Sequence, residues 1–367
     1  MPRLILLAAL LAVMPATASD SRIRPGVWAA SQPDALPLPT RGYQAYLTGE
    51  MHGVQENAEF QLQYLELLHR TSGLRDIAIE ERGVFEKDAQ AFIDGRSDSL
   101  PPSLCLRIDL LEGIRKLNAQ LPQDARIRVH LTDIDSPAGA IRRHLAELQK
   151  QIGAAVPVPE ESALRGHGIE AVEKLKRSTS DSATQSELRT VELSIRALQQ
   201  GLEFDVGPPK GSPYLEPREE AVARNIVDLI RLRGTPSLLV VYGLDHVSRT
   251  QRKDGGPDRN QPFPPMALRL EQAGIRIFTA MTLPLTGRTF WRGQSSEVYW
   301  TASDAHLASG ETLVKVLASA PAGSRLFIDP KREHVRLPAD DMMKMEVDGI
   351  LLFPTGVPMR NRCVARP

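Results

Sequence analysis

The chain has 367 residues, 42% of them hydrophobic, with lysine plus arginine and aspartate plus glutamate equal at 45 each. That is enough apolar content for one large core or two modest ones. The zero formal charge gives no support for a surface that neutralises nucleic-acid phosphates, so no nucleic-acid partner is expected.

Residues 1–18 read as a signal peptide. Arg3 supplies the positive start, residues 4–13 the apolar core, and Ala16-Thr17-Ala18 a small-residue cleavage site before Ser19. The mature protein is therefore expected to be secreted or periplasmic. No later stretch approaches twenty apolar residues, so no transmembrane segment is expected after signal cleavage. Cys105 and Cys363 are the only cysteines. In an oxidising compartment they can form one disulfide or remain two thiols, and without a CxxC spacing they make no zinc site.

Residues 19–41, with Pro25, Pro33, Pro37 and Pro39, read as an irregular leader. Residues 43–48 read as a strand that ends in Glu50, Met51 and His52, with Gly49 and Gly53 to let the backbone turn sharply. A helix over 57–70 follows, with Phe60, Tyr64, Leu67 and Leu68 on one face. The strand 76–80 ends in Glu80, Glu81 and Arg82; a helix covers 104–118; the strand 126–132 ends in Asp133 and Asp135. Residues 138–205 are helical and highly charged, an insertion that suits either a cap over a site or a hairpin packed on the outside.

A helix over 218–232 leads into an apolar strand, 237–242, and the turn Gly243-Leu244-Asp245-His246. Residues 254–265 read as a loop, 266–272 as a helix and 275–281 as a strand. A short strand at 298–300, a helix at 311–318 and strands at 326–328 and 348–353 complete the pattern. Strands alternating with helices predict an α/β fold, a mostly parallel sheet flanked by helices with an inserted helical, cap-like subdomain. Residues 42–367 form one domain in this reading. In such sheets ligands bind beyond the carboxyl ends of the strands, where Glu50, His52, Glu80 and His246 fall.

There is no GxSxG elbow, HExxH, GxGxxG after a strand or GxxxxGK. Of eight histidines only His52 and His246 follow strand ends. His130 lies inside a strand, and His69, His144, His167, His306 and His334 lie in helical or loop contexts.

Taken in order, Gly49-Glu50-Met51-His52-Gly53, the strand ending in Glu80, Asp135, Arg218-Glu219-Glu220-Ala221-Val222-Ala223-Arg224-Asn225-Ile226 and Gly243-Leu244-Asp245-His246 resemble the erythromycin esterase-like and ChaN-like (Tiki/TraB-related) superfamily. The ending, Val347 to Phe353 before Thr355-Gly356-Val357-Pro358, looks like the esterase branch's final strand. The first turn is one residue shorter than the esterase form, and Val222 stands where a methionine is usual.

The resemblance implies an esterase-like hydrolase of a small-molecule ester, lactone or related acyl substrate. His52 then serves as general base, since its ordinary pKa lies near neutrality. Glu50 and Glu80 orient the imidazoles, and His246 donates to the oxyanion or leaving group. Arg218 holds a substrate carboxylate or pairs with Glu80, with Asp135 and Asp245 as further substrate-binding residues. Two alternatives stay open: a metal-dependent hydrolase or peptidase in which Glu50, His52, Glu80 and His246 take Mn, Co or Zn, and a ChaN-like carrier of haem or another ligand. A third reading makes the same acids and imidazoles a structural network.

Overall fold

The structure, a computed structural model, describes residues 21–201, 215–251, 262–291, 294–297, 305–336 and 346–359. The expected signal peptide, the expected 298–300 strand and Cys363 lie outside the described residues. So do parts of the 138–205 insertion and the 254–265 loop.

Among the described residues the strands are, in chain order, β1 (Arg22–Arg24), β2 (Val27–Ala30), β3 (Ala45–Glu50), β4 (Asp76–Arg82), β5 (Arg128–Asp133), β6 (Leu238–Gly243), β7 (Ile277–Pro284), β8 (Arg288–Trp291), β9 (Gln294–Glu297), β10 (His306–Leu307), β11 (Arg325–Ile328), β12 (Val335–Arg336) and β13 (Gly349–Phe353). The helices are α1 (Gln55–Ser72), α2 (Glu86–Ile93), α3 (Ile108–Asn118), α4 (Ala138–Ile152), α5 (Leu164–Arg177), α6 (Ser182–Gln199), α7 (Leu215–Arg231), α8 (Leu244–Val247), α9 (Met266–Gln272) and α10 (Leu313–Ala318).

One nine-stranded sheet runs β1-β2-β11-β13-β7-β3-β6-β4-β5, parallel from β13 to β5 and antiparallel at its β1, β2 and β11 end. This is the α/β fold that the strand and helix alternation predicts. β3 and β6 are buried along their whole length, which is why they read as unbroken apolar runs rather than alternating ones. One face packs Tyr46, Ile79 and Val241 against α1, α2 and α3; the other packs Leu47, Val240 and Tyr242 against α7 and α9. The order β3-β6-β4-β5 sets four carboxyl ends side by side.

β5 is an edge strand, and side chains satisfy the backbone groups that no neighbouring strand can reach. Gln90 accepts from the Val129 N–H at 3.0 Å and Glu86 from that of Leu131 at 3.0 Å, while Asn225 donates to the Thr132 carbonyl at 2.9 Å. Helices α4, α5 and α6 of the insertion share a core of their own, including Ile141, Leu145, Val172, Leu188 and Ile195.

Two elements differ from the sequence reading. The leader is not irregular throughout: Val27 to Ala30 pair with Ile328 to Arg325, so the segment adds two strands to the sheet. Its prolines fall where they cost nothing, Pro25 in the hairpin turn and Pro33 at the start of a 3-10 helix. The 104–118 helix splits into a 3-10 segment, Pro102–Arg107, and α3, and the break turns Arg107 inward. Cys105, in that 3-10 segment, is disulfide-bonded.

Candidate active site

The turn after β3 is held from two directions. Asn57 donates to the Met51 carbonyl at 2.7 Å, and Thr289 donates to that of His52. Gly53 has φ of +79°, the left-handed conformation expected of it. Gly49 serves otherwise than predicted: it lies in the strand, where a Cβ would meet Val247 of α8 at 2.2 Å.

On this turn His52 Nδ1 lies 2.9 Å from Glu50 Oε1. Glu50 also accepts from Gln61 at 2.6 Å and from Arg107. Burial pushes the Glu50 carboxyl up, but the charges of Arg107 and His52 outweigh it and hold the pKa at about 2. The His52 ring is the partly open member, its side chain 27% exposed. Burial lowers its pKa, yet the carboxylates of Glu80 and Glu50 bring it out above the usual histidine value.

The end of β4 delivers two carboxyls instead of one. Ile79 pairs with Leu131 and Arg82 with Asp133, so β4 carries one extra residue between those rungs. In a regular strand Glu80 and Glu81 would point to opposite faces; the irregularity brings both to the crevice. Glu80 Oε2 lies 3.5 Å from His52 Nε2 and accepts from the Gly243 N–H at 2.6 Å. Glu81 lies 3.5 Å from Arg107 Nε. Burial drives the Glu81 carboxyl up to about 7 against the pull of Arg107 and Arg82, with Glu80 and Asp133 adding to the rise.

Behind Glu80 sits a closed knot from α7 and α8. Arg218 donates to Glu80 Oε1 at 2.6 Å and to both oxygens of Asp133 at 2.9 and 2.6 Å. His246 Nε2 is 3.3 Å from Glu80 Oε1, and its Nδ1 is 2.7 Å from Glu219 Oε1. Burial lowers the His246 pKa, but Glu219 and Glu80 override it and raise the ring to about 9, so it is an imidazolium at neutral pH. The neighbouring cations hold Glu80 well below the usual carboxylate range although it is buried.

A cavity of about 160 Å³ opens over these groups, walled among others by Glu50, His52, Glu80, Glu81, Arg82 and Arg107. The structure thus gathers four of the predicted residues, Glu50, His52, Glu80 and His246, with Arg218. It does not put them all on the cavity wall. His246 and Arg218 stand behind Glu80, facing carboxylates rather than open space. Asp135 is placed elsewhere: its side chain accepts from the Val84 N–H at 3.1 Å and from His144 Nδ1 at 2.5 Å. Asp133, two residues earlier, is the acid that reaches the crevice. Asp245 faces outward on α8, which turns His246 inward instead.

No described residue of the insertion is among those walling this cavity. A larger one, about 270 Å³, lies between the end of β5 and α4, α6 and α7, but its charged lining is spent on mutual ion pairs, described below. Sequence reasoning missed Arg107, hidden in an amphipathic segment, and placed Glu81 at the strand end without giving it a role, since an ordinary strand would have turned it away. It also passed over Gln61 and Glu219 as helix residues.

The donor set does not fit a divalent metal. Guanidinium groups already occupy the spaces where a cation would sit: Arg218 between Glu80, Asp133 and His246, and Arg107 against Glu50. Haem fits no better, since both nitrogens of His246 face carboxylates and the cavity is below the ~300–1,000 Å³ usual for ligand pockets.

No family model matches the chain, and no curated protein matches it by sequence. Solved structures do match. A succinoglycan biosynthesis protein superposes with a TM-score of 0.63 at 12% identity, over 93% of this chain and 97% of its own. An erythromycin esterase, EreC in its open conformation, gives 0.60 at 12% identity over 87% and 92%. The fold is similar to that of an erythromycin esterase. A Bacillus cereus protein adds a third match, 0.57 at 13% identity over 88% and 90%. The likeness to ChaN of Campylobacter jejuni, with a TM-score of 0.29, is too slight to carry the haem reading.

Proposed function

We propose that this protein is an exported hydrolase of the erythromycin esterase-like type, acting on an ester, lactone or related acyl bond of a small molecule. The observation that carries the proposal is the Glu50 and His52 pair on the cavity wall. The carboxylate fixes the ring's orientation through Nδ1, and Nε2, 3.5 Å from Glu80 Oε2, is the nitrogen that would take a proton from a water in the cavity. Glu80 stabilises the imidazolium that forms, and His246 with Arg218 keeps Glu80 ionised and in place. His246 is a positioning residue in this mechanism rather than a proton donor.

Negative charge developing on the substrate carbonyl falls to the cations of the wall, Arg107 and Arg82. A preorganised guanidinium in a partly dry cavity loses little energy to reorganisation as that charge appears. Export rests on the pattern of residues 1–18, and the disulfide at Cys105 is in keeping with an oxidising compartment.

The test is an initial-rate screen of wild type and His52→Ala over ester, lactone and peptide substrates, with and without added Mn. Turnover of an ester or lactone without metal, lost in His52→Ala while circular dichroism is unchanged, is the expected result. Absence of turnover in every class, or full activity in the variant, overturns the reading.

A further inference from the structure

The mechanism so far uses Glu50, His52 and Glu80 and leaves one buried carboxyl on the same wall without a task. An acyl bond to an alcohol breaks only if the departing oxygen is stabilised, and an alkoxide is a poor leaving group unless it receives a proton as the bond lengthens. His52 takes a proton from water in the first step. His246, behind Glu80, cannot reach a leaving group.

We propose that Glu81 is the general acid of this site, donating its proton to the leaving oxygen of an alkyl ester or lactone. The inference rests on the hydrolase reading above and adds the substrate class: esters of unactivated alcohols. Four features support it. The extra residue in β4 aims Glu81 into the cavity that His52 also walls. Arg107 links the two carboxyls, lying against Glu50 and 3.5 Å from Glu81, so acid and base are tied to one rigid group. Glu80, by contrast, is committed to Arg218, His246 and the Gly243 N–H and stays ionised. Burial keeps Glu81 protonated far above the ordinary carboxylate range.

The step balances without a co-reactant. Water oxygen bonds to the acyl carbon as His52 Nε2 takes one water proton. The tetrahedral adduct collapses, the bond from carbon to the alcohol oxygen breaks, and Glu81 gives that oxygen its proton. Alcohol and carboxylic acid leave, and a proton passes from the His52 imidazolium to the Glu81 carboxylate to restore both.

The experiment compares alkyl and p-nitrophenyl esters of one acyl group in wild type and Glu81→Gln. A nitrophenolate leaves without protonation, so Glu81→Gln should lose about 10²- to 10⁴-fold in kcat/KM on the alkyl ester and at least about tenfold less on the aryl ester. Equal losses on both, or no loss, overturn the assignment while leaving the hydrolase intact. A wild type that cleaves neither ester removes the hydrolase reading and the inference with it. Should Glu81→Gln fail to fold, the wild-type dependence of kcat/KM on leaving-group pKa decides: a shallow slope supports proton donation and a steep one overturns it.

Discussion

Two assemblies of histidine and carboxylate flank the end of β5, each beside a cavity, and they differ in how their groups are used. In the crevice, His52 is partly exposed and Glu81 holds its proton against nearby cations, so two groups retain chemical capacity. Under the insertion, Asp135 accepts from His144 and from the Val84 N–H, its own N–H donates to Ser194, and His144 Nε2 faces Glu187 at 3.8 Å. Glu187 pairs with Arg233 at 2.8 Å, Arg233 with Glu86 at 3.5 Å, and Glu86 accepts from Leu131 of the sheet edge. Each group ends on another, and the chain of contacts ties α4, α6, Arg233 just beyond α7, and α2 to the end of β5. A histidine beside an acid is therefore no mark of a site in itself. What separates the two is position at the carboxyl ends of central strands, and a surplus of titratable groups over the partners needed to quiet them.

The comparison can be broken by removing one ring from each assembly. His52→Ala should lower kcat by about 10²- to 10⁴-fold with little change in melting temperature, since it deletes a base from a cavity wall. His144→Ala should do the reverse. It strands a buried carboxylate, Asp135, which costs about 3–5 kcal/mol of stability, while the folded fraction keeps its turnover. Initial rates and calorimetry on both variants check the pair, and an exchange of the two outcomes would place the active centre under the insertion.

The His144 effect also has a pH signature. Burial lowers its pKa, but Asp135 and Glu187 raise it to about 10, above the unfolded value of 6.5. The stabilisation is thus complete below pH 6.5 and fades as pH rises through about 10. The stability gap between wild type and variant should close over that window.

Much of this architecture was legible in the sequence because strand ends announce themselves. Apolar runs such as Leu238 to Tyr242 stop abruptly at polar turns, and the acids and imidazoles of Glu50, His52, Glu80 and His246 stand there. Periodicity also found α7 and α9 closely. What stayed hidden depends on backbone detail that a pattern does not carry. One extra residue in β4 decides that Glu81 faces the crevice, and a change from 3-10 to α geometry decides that Arg107 does. Asp135 and Asp133 are equally good strand-end acids on paper. The turn that follows sends the first to His144 and leaves the second with Arg218.

The comparison sharpens at Arg107, the bridge between Glu50 and Glu81. Its 3-10 segment carries the disulfide-bonded Cys105 two residues earlier, so Cys105→Ser should cost about 2–4 kcal/mol and loosen the cavity wall as well. Thermal melting reads the first effect. A rise in KM for the cleaved ester, absent in His144→Ala, reads the second.

The smallest expected effect concerns the carboxyl that the fold keeps under tension. Burial raises Glu81 to about 7 from 4.5, so the folded protein resists its ionisation. The penalty is absent below pH 4.5, grows as pH rises toward 7 and is fully present above it. Replacing Glu81 by Gln removes the ionisation and should stabilise the protein at pH 8 by an amount on the order of 2 kcal/mol, with no gain at pH 4. Urea denaturation of wild type and variant at the two pH values measures the difference. A structural acid such as Glu50, held at about 2 by Arg107 and His52, behaves oppositely: its loss destabilises at pH 8. Stability surrendered at Glu81 but gained at Glu50 is the thermodynamic trace of one carboxyl kept for proton transfer and the other for holding a ring.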